Sequence, residues 1–97
     1  MDIYNESMRY SHGCYDFIKR MIHSCETYEH LQNTENIANT YLKVCSRNCN
    51  KLNFTKKRKY KAYINDQIAE FQLLLNNQKD IIDSYNSKTP IKINGFG

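Results

Sequence analysis

The sequence predicts an all-α protein: an antiparallel helical hairpin plus a long third helix, a three-helix bundle that dimerises into a larger one. Three observations lead there. Apolar residues recur at helical spacing in three separate segments, and no segment before the carboxyl-terminal stretch alternates as a strand does. Gly and Pro, three and one among 97 residues, leave long stretches uninterrupted. A chain this short buries only about 60–65% of the surface it exposes unfolded, so its core is thin and self-association extends it.

The first helix is read from Asp2 to His30. Tyr4, Ser11, Ile18 and Cys25 recur every seven residues, with Ser7, Cys14, Met21 and Tyr28 beside them and Met8, Tyr15 and Ile22 completing one broad stripe. Gly13 falls inside this helix, but the stripe keeps its phase across it, so the helix is read as continuous or mildly kinked. His30 then sits at the carboxyl-terminal end, where a cation suits the macrodipole.

Gln32-Asn33-Thr34 is read as the connection, with Asn33 or Thr34 capping the next helix and Glu35 in its first turn. The second helix runs to about Asn48–Asn50, its inner face Ile37, Tyr41, Val44 and Cys45, with Leu52 beyond.

The third helix begins after Asn53-Phe54-Thr55 and runs to about Tyr85. Ile64, Phe71, Gln78 and Tyr85 form one row, Tyr60, Gln67, Leu74 and Ile81 the next, and Ile68, Leu75 and Ile82 lie beside them. Gln67 and Gln78 on these rows predict a partly polar seam, a device that fixes register at a cost in stability. The pattern stops at Pro90, which divides the chain into a helical domain over 1–86 and a flexible or arm-like tail over 87–97.

Composition narrows the function classes. There is no room for a two-domain enzyme or a doubly wound sheet. No apolar run reaches the ~18–20 residues of a membrane span. The start, Met1 to Glu6, has neither a basic nor an apolar leader region, so a cytoplasmic setting is expected, with no membrane partner. Asn, Lys, Ile and Tyr dominate while Ala, Gly and Pro are scarce, a bias of A/T-rich codons that fits phages, viruses, low-GC bacteria and some protists, and with them a phage or viral accessory protein.

The sequence holds no P-loop, G-x-G-x-x-G, G-x-S-x-G or H-E-x-x-H motif and its acidic residues are scattered singly, so no enzymatic activity, cofactor or metal is expected. Cys14, Cys25 and Cys45 are read as small core residues. Two other readings use the thiols. Cys45 and Cys49, four residues apart on one helix face, could form half of a metal or thiol site. A hairpin turning near Asn33 brings Cys14 level with Cys49, which leaves a disulfide between them open.

The feature with most bearing on function is the basic run Lys56, Lys57, Arg58, Lys59, Tyr60 and Lys61, with Lys51 just before it. These cations outweigh the net charge of +4, so the rest of the chain is slightly acidic. The run sits where the third helix begins, and cations there oppose the macrodipole. Such a cluster calls for an anionic counterpart. Tyr60 and Tyr63 are placed either to stack on bases or to cover the core. The expected function is therefore a small non-enzymatic interaction or regulatory protein. It binds a macromolecular partner, or itself, through helix faces and this basic patch. Nucleic acid or nucleotide binding through Lys56–Lys61 is the alternative.

Overall fold

The computed structural model describes residues 2–94, with side chains through 86. It contains three helices and no strand among those residues: α1 Ile3–Ser24, α2 Tyr28–Cys49 and α3 Phe54–Asn94. Each packs against both of the others.

Each helix start has a side-chain acceptor. The Asp2 carboxylate accepts from the Tyr4 amide at 3.0 Å, the Thr27 hydroxyl from His30 at 3.1 Å, and the Asn53 side-chain carbonyl from Lys56 at 2.9 Å. α1 passes through Gly13 without a break, and Gly13 has no positive φ.

The hairpin turns at Cys25-Glu26-Thr27, not at Gln32-Asn33-Thr34. Cys25 and Thr27 are both extended, and the Cys25 amide closes α1 on the Ile22 carbonyl at 3.2 Å. Thr27 is the cap, whereas Thr34 is buried in α2. Its hydroxyl donates to the His30 carbonyl at 2.9 Å and lies 3.3 Å from the Cys25 sulfur. His30 consequently occupies the first turn of α2 rather than the end of α1, the reverse of the setting expected for it.

The earlier start of α2 also resets its face. Thr34, Ala38, Tyr41 and Cys45 point inward, while Ile37 is 42% exposed and Val44 half-buried. α3 continues past Pro90 to Asn94, beyond the end expected from the sequence. Whether 87–97 acts as a flexible or docking tail concerns side chains of 87–94 and residues 95–97, which lie outside those described.

The core is Ile18 and Ile22 of α1, Ala38, Tyr41 and Cys45 of α2, and Tyr60, Ile64 and Phe71 of α3. Full burial of each large apolar side chain contributes roughly 1.5–3 kcal/mol. Polar groups also cross this core. Ser11 Oγ lies 2.6 Å from Tyr60 Oη and 3.6 Å from Cys45 Sγ.

The Tyr41 hydroxyl is 3.1 Å from the Ser11 carbonyl oxygen and 2.5 Å from the Gln67 side-chain amide. A phenol has one proton, and the carbonyl can only accept it. That proton is shared between the Ser11 carbonyl and Gln67 Oε1, and Gln67 Nε2 is buried without a hydrogen-bond partner among the described residues. Lower down, Gln78 Nε2 donates to the Cys25 carbonyl at 2.7 Å and so satisfies the exposed end of α1 from α3. The two glutamines on the inner rows hold the hairpin and α3 in register.

The molecule measures 65 × 17 × 15 Å. Its length is that of α3: 41 residues span roughly 60 Å, against roughly 33 Å for each hairpin helix. Tyr28, at the start of α2, donates to the carboxylate of Asp83, so α3 outruns the hairpin by about ten residues.

The turn position also separates the thiols. All four cysteines are free. Cys14 faces Ile37, Thr40 and Tyr41, whereas Cys49 lies near the α2–α3 connection, its sulfur 3.9 Å from the Lys57 carbonyl. The premise for a Cys14–Cys49 bridge, a turn near Asn33, does not hold.

Candidate functional site

The layer Ser11–Cys45–Tyr60 divides the rod into electrostatically opposite halves. On the side of the α2–α3 connection lie Arg9, Arg47, Lys51, Lys56, Lys57, Arg58 and Lys59, seven of the fourteen cations in the chain, with only Asp2 and Glu6 among the acids; Lys61 and Lys43 follow one and two residues beyond the layer. The other eight acidic residues lie on the opposite side, from Asp16 and Asp66 onward.

The fold brings this about. The start of α1, the end of α2 and the start of α3 meet at one end, and each contributes cations. Their sequence signal is the four-residue spacing of Lys43, Arg47 and Lys51, which extends the local run back along α2.

At that end the cations surround the helix start rather than forming one flat patch. Lys56 is half-buried, its Nζ 4.5 Å above the Tyr4 ring, toward α1. Lys57 and Lys61 face α2 across a recess of about 310 Å³ floored by Leu42, Cys49 and Ile64. Arg58 and Lys59 lie on the outer side with Phe54, and the Arg58 guanidinium is 5.8 Å from the Phe54 ring centre. Lys51, in the connection, is exposed.

The electrostatics of this end are uncompensated. α3 has no acidic residue in its first turn. Each cation there costs a few tenths of a kcal/mol against the dipole. The ion pairs among the described residues are His12–Asp16, Lys19–Asp16 and Lys19–Glu70, all on the acidic side of the dividing layer.

One expected contact residue is not part of this surface. Tyr60 is 0% exposed, with its hydroxyl bound to Ser11, so it belongs to the core and offers no face to a partner. The aromatic at the surface is Phe54, 73% exposed among Arg58 and Lys59. Phe54 precedes the first clear heptad row, so the helical period does not mark it.

The buried hydroxyl and thiol cluster has no access to solvent: Ser11, Tyr60 and Cys45 are 0–1% exposed. Burial raises the Tyr60 and Tyr41 phenols well above the ordinary tyrosine range and keeps them neutral. Tyr15 is raised too, by burial and by its hydrogen bond to Glu70. These groups are structural. Among the described residues no three His, Cys, Asp or Glu side chains gather to hold a metal ion, and no helix is long and apolar enough to cross a membrane. Comparison with protein-family models, curated proteins and solved structures finds no match.

Proposed function

We propose that this is a small non-enzymatic interaction protein that docks its basic end onto an acidic surface of a macromolecular partner. One observation carries the reading: seven of fourteen cations converge where three helix ends meet, with two more just beyond the dividing layer, two acids beside them and, among the described residues, no ion pair. Phe54 supplies the apolar anchor, since an exposed aromatic flanked by arginine is the composition of an interface hot spot. The cations steer the approach and set the orientation.

A second reading, nucleic acid as the polyanion, draws on the same Phe54, which takes the base-stacking part that buried Tyr60 cannot. Titrating the isotope-labelled protein with an acidic polypeptide, and separately with a single-stranded oligonucleotide, tests both. Either reading places the amide perturbations at 51–61, at the start of α1 and at the end of α2. The acidic-partner reading expects the polypeptide to bind more tightly at equal salt. A nucleic-acid role expects the oligonucleotide to win, with an affinity that falls by about 0.7 in log K per phosphate contact for each tenfold rise in salt. Perturbations confined to the acidic half with either probe contradict both.

A further inference from the structure

α1 carries a second surface on its outer side. Ile3, Tyr10 and Phe17 follow one another at seven-residue spacing and are 48%, 41% and 55% exposed. Beside them, at the same spacing, run Glu6, Gly13 and Arg20, all exposed.

Gly13 has no role within the chain. A Cβ there would meet nothing within 4 Å, and its φ is not positive. A glycine inside a helix is destabilising, so its use here points to close approach from outside.

The charges about it are antisymmetric. Glu6 lies seven residues before Gly13 and Arg20 seven after. Tyr10 and Phe17 bracket it in the same way, three residues before and four after. Such a pattern complements itself when the helix is turned end for end, the requirement of a two-fold interface.

We infer that α1 is a self-association surface on which a second copy of this chain packs antiparallel, crossing at Gly13. Tyr10 of each copy meets Phe17 of the other, and Glu6 of each meets Arg20 of the other. Ile37 and Val44 of α2 extend the apolar contact at its edge. The two basic ends then lie at opposite poles of the dimer. This surface does not depend on the reading of the basic end.

Sedimentation equilibrium of the full chain, from micromolar to millimolar concentration, tests it. The expected mass moves from 11.6 kDa to twice that value as concentration rises. Glu6→Arg and Arg20→Glu each weaken association about tenfold, and the two together restore it. Gly13→Gln removes it while the melting temperature of the dilute monomer stays level or rises, so misfolding does not explain the loss. Arg58, Lys59 and Lys61 changed to Gln leave it intact. A monomer at every concentration overturns the inference. So does a dimer that tolerates Gly13→Gln, fails to recover in the double charge swap, or is lost only with the basic-end substitutions.

Discussion

The hydroxyl of Tyr60 lies 2.6 Å from Oγ of Ser11, 49 residues away, and both side chains are sealed from solvent. This contact joins α1 to α3 at the layer where the basic half meets the acidic half. Cys45 brings α2 to the same point through its sulfur. Removing the phenol oxygen in Tyr60→Phe leaves the Ser11 hydroxyl with only a weak sulfur partner, a loss of about 1–2 kcal/mol. Ser11→Ala strands the phenol similarly. The double variant loses less than the two singles added together, because neither orphan then remains. Urea unfolding of the four proteins measures this; strict additivity would show that the contact contributes nothing.

The buried phenols govern the alkaline limit. Burial raises the folded-state pKa of Tyr41 and Tyr60 above the ordinary tyrosine value of about 10. A raised pKa means that the folded state holds its proton more tightly. The stability gained is fully present below pH 10 and is lost as pH climbs above it toward the folded values. Beyond pH 10 each of these tyrosines lowers stability by about 1.4 kcal/mol per pH unit. Phenolate absorbance and helical circular dichroism followed together should show part of the tyrosines ionising only as the helices melt, and Tyr60→Phe should flatten the decline. Ionisation of all eight tyrosines near pH 10 with helices intact would contradict the buried network.

Gly13 is a site where the fold alone gains from substitution. Nothing lies within reach of a Cβ, and the backbone is ordinary helix. Gly13→Ala should therefore stabilise the dilute protein by about 1 kcal/mol, read as a higher melting temperature. A decrease would mean that α1 is kinked there.

Gln78 is the link that fixes the lower end of the hairpin. Its amide nitrogen is the α3 donor to the Cys25 carbonyl, at 2.7 Å. Gln78→Leu leaves that buried carbonyl without this donor and should cost about 1–3 kcal/mol, with hydrogen exchange accelerated first in the last turn of α1. Equal protection in the variant would assign the C-cap to other groups.

Much of this architecture was legible in the chain because the side-chain period is strong. The rows through Ser11, Ile18 and Ile22 and through Tyr60, Ile64, Gln67 and Phe71 are the ones buried. The turn was misplaced for a physical reason: Cys25 and Tyr28 continue the spacing of α1, so the period runs on where the backbone stops. The local signal was Thr27 followed by Glu29, a cap and a first-turn acid with no Gly or Pro to mark them. Moving the turn by about seven residues changed which face of α2 looks inward, uncoupled Cys14 from Cys49 and reversed the setting of His30.

The candidate site was half legible. The run Lys56–Lys61 is contiguous, but its enlargement by Arg9 and Arg47 needs the three helix ends to meet, which is tertiary information. Tyr60 and Phe54 exchanged roles because six residues separate them, which places them on different faces of α3. Only the packing of Tyr60 on Ser11 settles which is core.

The proposed docking rests on the basic end and not on net charge. Two variants of equal charge separate the two: Arg58, Lys59 and Lys61 changed to Gln, and Lys19, Lys79 and Lys88 changed to Gln. Each lowers the charge of +4 by three. Binding to an acidic polypeptide is measured for both at a series of salt concentrations. The first variant should lose at least about tenfold in affinity and show a shallower salt dependence, while the second stays close to the parent. Equal losses in the two, or no loss in the first, would contradict the account.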